Sequence, residues 1–169
     1  MDAKALVFGD LEREVGVTRK VLAALPAEHF AWKPHEKSMS LMQLGLHVAT
    51  LPGWLRDALK ADVLDFASAP RPPKSVADAA ELVKLFDEHV AGVREALAAF
   101  DKARVAATWT LKNGEQVFTQ QPRPKVARNW ALNHLIHPRA QLCLYLRQLT
   151  VKVPTVYFNT ADDQTLVFE

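Results

Sequence analysis

Three histidines are the side chains of this sequence best placed to do metal chemistry. His134 and His137 lie three residues apart in a segment with helical periodicity, so both rings could reach one ion. His47 lies in another helical segment, at the edge of its apolar stripe. Imidazole suits zinc, nickel, copper and iron, and three imidazoles with one open position are typical of catalytic sites. The pattern indicates a metal site between helices, although a single His-x-x-His also occurs among ordinary surface or core residues.

Other polar side chains near these histidines could contribute to chemistry. Gln141 and Tyr145 share one side of the last helical segment with His134, and are predicted to orient a substrate or to supply a proton. His89 lies at the edge of another apolar face, where it is a core-edge residue or a reserve ligand. Cys143, the single cysteine, is predicted to be a buried and inert thiol. The sequence has no glycine-rich phosphate loop and no nucleophile-elbow spacing.

Composition and charge exclude several classes of function. The net charge is +2, from 21 basic and 19 acidic residues, without a basic stripe, so the sequence does not indicate nucleic-acid binding. No apolar run approaches the roughly 20 residues that span a bilayer, and the N-terminus lacks a signal-peptide core, so we predict a soluble, cytoplasmic protein without membrane contact. Glu14 is predicted to be a solvated surface charge, and Arg139 to pair with an acid or bind an anionic substrate.

Helical periodicity predicts the elements that must position these residues. The second helix should begin at Ser38 or Ser40, and Pro52 should kink it beyond His47. The third should open at Ser75 with a variant capping box, and Asn113-Gly114 predicts a hairpin before the last helix. The first, third and last helices should cover about residues 3–25, 75–100 and 125–150, and the apolar stripe of the second reaches Leu55. We therefore predict an all-α single domain over residues 1–169, a four-helix bundle with a small β-hairpin.

Several of these segments resemble the DinB-like family. Residues 40–47, Ser-Leu-Met-Gln-Leu-Gly-Leu-His, followed by Leu-Pro-Gly-Trp at 51–54, resemble its second-helix signature. Residues 133–142, Asn-His-Leu-Ile-His-Pro-Arg-Ala-Gln-Leu, resemble its last-helix signature, and 153–157 resemble its tail. The resemblance covers most of the chain. It implies a four-helix bundle, often a homodimer, in which one histidine of the second helix and two of the last helix, four residues apart, hold a metal.

The sequence departs from this ligand pattern at Pro138. His47 and His134 match two of the ligand positions, but the third falls on Pro138, which cannot bind a metal. The proline removes a helix hydrogen bond and crowds its turn, which could swing His137 toward the site and restore three imidazoles. Otherwise only two ligands remain, and the affinity for zinc, nickel or iron falls or is lost.

Two functions and one purely structural interpretation follow. The resemblance implies a metal-dependent hydrolase, or a transferase that uses a small thiol, acting on a small-molecule substrate. Pro138 motivates the alternative, a non-catalytic helical bundle with a degenerate metal site that binds a small ligand or partner. In the structural interpretation His134 is a polar core residue that hydrogen-bonds Tyr145 or a backbone carbonyl, and it needs no cavity.

Overall fold

This computed structural model describes residues 8–70, 73–100 and 107–165, which contain long helices and a small sheet. In chain order the elements are α1 (Leu11–Ala23), a 3-10 turn (Ala27–His29), α2 (Leu41–Lys60), β1 (Val63–Asp65), α3 (Ala79–Ala98), β2 (Thr108–Asn113), β3 (Gln116–Pro122), α4 (Arg123–Val126), a π segment (Ala127–Asn133) and α5 (His134–Gln148). The part of the first predicted helix before residue 8 lies outside the described residues.

Capping side chains fix where α2 and α3 begin. The Ser40 hydroxyl accepts from the backbone N–H of Gln43, whose side chain accepts from the Ser40 N–H, so a complete capping box opens α2 as predicted. The prediction that Ser75 caps α3 was wrong. The Asp78 carboxylate accepts from the Glu81 N–H instead, and the Glu81 side chain accepts from the Ala77 N–H. Together these bonds satisfy free donors of the first turn and place the start of α3 three residues later.

The apolar stripes of the helices meet in one core. Leu22 of α1, Leu51 of α2, Phe86 of α3 and Leu142 of α5 are all almost fully buried there. Burying each such side chain contributes about 1.5–3 kcal/mol. The periodicity of the sequence therefore identified the inward faces correctly. Pro52 lies inside α2, which continues through it to Lys60. None of the described helices has the length and apolar character needed to cross a bilayer.

The predicted hairpin is confirmed, but it belongs to a larger sheet. β2 and β3 pair antiparallel around Gly114, whose φ of 58° suits glycine. β1 pairs parallel to β2, which gives the strand order β1-β2-β3. A strand of three residues is too short for its alternation to be recognised in sequence. The Asp65 carboxylate accepts from the Gly114 N–H at 2.9 Å, so β1 also holds the hairpin turn.

The last helix is continuous but not uniform. It was predicted as one α-helix from about Lys125 to Thr150, and it extends from Arg123 to Gln148 with seven π-helical residues, Ala127–Asn133, in its first half. The irregular segment ends directly before His134. π turns are rare and frequently lie at functional sites, and no pattern in residues 127–133 predicted one.

Arg123 ties the start of the last helix to the end of α2. Its side chain is almost fully buried and donates to the carbonyls of Ala58 and Ala61 and to the carboxylate of Asp62. Carbonyls in the last turn of a helix lack partners within the helix, so a buried guanidinium stabilises them. The two helices that carry His47 and His134 are therefore held together at this end.

An ionic cluster joins α1 to α5 and the tail. It consists of the buried side chains of Glu14, Thr18 and Arg139 and of the more exposed Tyr157. A guanidinium nitrogen of Arg139 lies 2.7 Å from a carboxylate oxygen of Glu14, and both side chains are 1% exposed. The Tyr157 hydroxyl accepts from Arg139 and donates to Glu14. Pairing of Arg139 is confirmed, but the solvated position predicted for Glu14 was wrong. Glu14 lies one turn from Leu11 and Thr18, on the same inward face of α1.

Candidate functional site

The rings of His47 and His134 meet between α2 and α5, although 87 residues separate them in sequence. Their Nε2 atoms are 3.2 Å apart and their ring centroids 5.0 Å apart. With neutral rings, one Nε2 can donate a hydrogen bond to the other. Two nitrogens that each bind a metal at about 2.0–2.1 Å would lie about 2.8–3.4 Å apart for bond angles between octahedral and tetrahedral. The separation therefore suits a hydrogen-bonded pair and a pair of metal ligands equally well.

The π segment orients His134. The backbone of Trp130 accepts a hydrogen bond from the His134 ring. Because Nε2 faces His47, this bond leaves through Nδ1. Metal-binding histidines usually donate their second ring N–H to a carbonyl or carboxylate in this way. The edge of the Trp54 ring, 6.0 Å from the His134 ring, packs on another side. The bond to Trp130 is also the backbone contact that the structural interpretation of His134 anticipated.

Burial keeps both histidines of the pair neutral. Desolvation lowers the pKa of His47, and the positive charges that His134 and His137 would carry lower it further. Desolvation also lowers the pKa of His134, against the opposing effect of the bond to Trp130 and with the help of His137. Both rings are therefore uncharged at pH 7 and keep a lone pair, which is the state that metal binding requires.

His137 does not join the pair in this conformation. Its side chain is exposed, and the described residues contain no group of three histidine, cysteine, aspartate or glutamate side chains arranged to hold a metal. His137 is nevertheless close enough for its charge to affect both rings. Pro138 is buried inside α5. Two of the three predicted metal ligands are thus brought together, and the third lies on the outer side of the helix.

Gln141 and Tyr145 lie away from the cavity beside His47. Gln141 is exposed on α5. The Tyr145 hydroxyl donates to the Met39 carbonyl at 3.3 Å, and its ring packs edge-on against Trp32 at 5.3 Å. Tyr145 therefore joins α5 to the loop before α2.

A cavity of about 420 Å³ opens beside His47, between α2 and α3. We refer to it as the α2–α3 cavity. A volume of this order accommodates a small organic molecule. The α2 residues His47, Trp54 and Arg56 contribute to its wall, with Phe66 after β1 and His89 on α3. His47 belongs to both the histidine pair and this wall, so a ligand in the cavity would lie next to the pair.

Sequence reasoning missed most of this wall. His89 was treated as a core-edge residue or a reserve metal ligand, and it lines the cavity without joining the histidine pair. Its spacing from Phe86 and Val93 indicated the inward edge of α3 but not what lay opposite. Phe66 gave no signal, because the chain brings it to α2 only through the unpredicted strand β1, where its ring lies 5.5 Å from that of Trp54.

The sequence matches the model of the DinB family over residues 1–165. The fold is similar to the crystal structure of a DinB-like protein from Bacillus cereus, with a TM-score of 0.70, 18% identity, and 89% of this chain and 95% of that chain covered. It is also similar to a DinB-like protein from Bacillus subtilis, with a TM-score of 0.69, 16% identity, and 95% and 99% covered. No curated protein matches the sequence.

Proposed function

Because the chain belongs to the DinB family, we propose that it is a metal-dependent enzyme that acts on a small molecule, as a hydrolase or as a thiol-dependent transferase. The observation that carries this proposal is the contact of His47 and His134 next to the α2–α3 cavity. The long helices would form the four-helix bundle of the family. The homodimer and the cytoplasmic location stay predictions.

The donor set fits a divalent transition metal at two positions. His47 and His134 would hold it, since their neutral nitrogens already face one point and Trp130 fixes the ring of His134. His137 is the proposed third ligand, and it would have to turn inward from its exposed position. Zinc, nickel and iron all suit imidazole. A metal bound there would lower the pKa of a bound water or bind a thiolate. Gln141 and Tyr145 stay the predicted substrate-orienting residues.

Calorimetric titration of chelator-treated protein with zinc and nickel tests the metal site. We expect one equivalent per chain to bind weakly, and His134→Ala to abolish binding. Pro138→His should bind about tenfold tighter or better, because it supplies an imidazole four residues after His134, where the family has one. The proposal would be contradicted if wild-type protein bound neither metal, or if His134→Ala bound them as tightly as wild type.

A second candidate function is a metal-independent bundle that binds a small ligand in the same cavity. It is favoured by Pro138 and by the lack of a three-donor cluster in the described chain. It predicts that ligand binding is the same with and without chelator, in wild type and in His47→Ala and His134→Ala alike. Turnover that depends on added metal and disappears in either variant would rule it out.

A further inference from the structure

His89 lies in the wall of the α2–α3 cavity, and one of its ring nitrogens is buried away from solvent. Its Nδ1 is fully buried and has no hydrogen-bond partner among the described residues. The ring lies against Gly53, where an added Cβ would come within 3.0 Å of Nδ1. A side chain at this position would require the His89 ring to shift by a few tenths of an ångström. The half-buried ring therefore meets the cavity by its other edge, which carries Nε2.

The burial of Nδ1 determines which ring nitrogen of His89 carries the proton. Burial lowers the pKa of His89, with the charge of Arg56 acting in the same direction and Asp57 and Glu88 opposing it, so the ring is neutral at pH 7. A neutral imidazole has one N–H and one lone pair. An N–H at Nδ1 would be a buried donor without an acceptor, which is unfavourable. The proton is better placed on Nε2, where it presents a donor to the cavity.

Arg56 adds a second donor to the same wall. Its stem packs on Gly92 of α3, where an added Cβ would lie 2.9 Å from Cδ. Its Nε donates to the Asp57 carboxylate at 2.7 Å. Arg56 lines the cavity, and its terminal guanidinium nitrogens can form charged hydrogen bonds with a carboxylate. The aromatic rings of Trp54 and Phe66 also line the cavity and give it an apolar surface.

We propose that the α2–α3 cavity binds a small carboxylate with a planar apolar body, the carboxylate hydrogen-bonded to Nε2 of His89 and to Arg56, and the apolar body against Trp54 and Phe66. This assignment rests on the proposed function in taking the cavity as the substrate site, and it names the substrate class. It requires no metal. His89 and Arg56 are then the residues that determine specificity for the acid group.

The tautomer of His89 can be measured directly on the wild-type protein. Long-range nitrogen–proton NMR spectra of chelator-treated protein at pH 7.5 should show His89 with its proton on Nε2. The resonance is assigned by its loss in His89→Gln. A proton on Nδ1 would overturn the proposal, because the cavity would then face a lone pair that repels a carboxylate.

Binding of benzoate, benzyl alcohol and benzylamine to chelator-treated protein tests the ligand class. Benzoate should bind most tightly and benzylamine least. Arg56→Met, which keeps the stem on Gly92, and His89→Leu should each weaken benzoate by about tenfold or more, since each loses a charged hydrogen bond. Arg94→Met removes an exposed arginine on α3 that pairs with Glu12, and it should bind benzoate like wild type.

Equal affinity for benzoate in wild type, Arg56→Met and His89→Leu, or a preference for benzylamine, would overturn the proposal. If His89→Leu does not fold, the tautomer of wild-type His89 and the affinity of Arg56→Met for benzoate still test the proposal. The titrations with zinc and nickel are separate measurements, so failure of the metal site and failure of the carboxylate site are distinguishable.

Discussion

The last helix carries two polar side chains with opposite surroundings. Arg139 is almost fully buried, and its guanidinium bonds to Glu14, Thr18 and Tyr157. His134 is only half-buried, and its Nε2 faces Nε2 of the His47 imidazole. In the ionic cluster, opposite charges and a hydroxyl compensate one another within the protein. In the histidine pair, two uncharged imidazoles whose pKa values are lowered by burial face each other, which is an arrangement often found at functional sites.

Breaking the ionic cluster should have the largest effect on stability. Glu14→Gln leaves the buried Arg139 charge without its counter-ion, so the free energy of unfolding should fall by about 3–5 kcal/mol. Urea denaturation measures it. The matched control is Glu12→Gln, which breaks the exposed pair with Arg94 and should cost less than about 1 kcal/mol. Equal losses in the two variants would mean that the buried cluster is not the stabilising contact described here.

Two glycine substitutions should separate the cavity wall from an ordinary helix surface. Gly53→Ala places a methyl group against the His89 ring, and such overpacking costs about 1–3 kcal/mol before any gain in helix propensity. Gly16→Ala in α1 meets nothing within 4 Å and should stabilise by up to about 1 kcal/mol. Urea denaturation compares the two. A Gly53→Ala variant as stable as Gly16→Ala would show that His89 is not tightly packed there.

Acidification should weaken the protein through its partly buried histidines. The folded-state pKa values of His47, His89 and His134 lie below the ordinary value, mainly because of burial. The unfolded chain therefore binds more protons as the pH falls through about 6.5, and stability present above that pH is lost below it. The urea midpoint of chelator-treated protein should fall from pH 7.5 to 5. His89→Gln should show a shallower decline, whereas an unchanged slope would contradict the burial of His89.

The smallest effect on stability is expected at His137. Because its side chain is exposed, His137→Ala should change the free energy of unfolding by less than about 0.5 kcal/mol. The affinity of the His137→Ala variant for zinc should nevertheless fall below that of wild type if His137 turns inward as the third ligand. Calorimetric titration beside urea denaturation measures both. Unchanged affinity would leave His47 and His134 as the whole protein contribution to the site.

Regular periodicity made most of the fold predictable, and irregular backbone made the rest unpredictable. The stripes of α1, α2, α3 and α5, the Ser40 cap and the turn at Gly114 follow from local pattern and residue type. The short strand β1 and the π segment depend on tertiary pairing and on backbone hydrogen bonding that no local pattern specifies.

The candidate site divides in the same way. His47 and His134 were identified as partners because both lie at helix edges and match the resemblance. The wall formed by Arg56, Phe66 and His89 was not, since those residues converge only through the sheet and through the close approach at Gly53.

The ionic cluster also sets the direction in which the histidine of the last helix points. Residues 134 and 139 are five apart, so their side chains leave the helix axis about 140° from each other. Arg139 is bound from three sides by α1 and the tail, and α5 cannot rotate about its axis without breaking those bonds. The bonds of the Arg139 guanidinium therefore restrict rotation of α5 and, with it, the direction in which the His134 side chain leaves the helix.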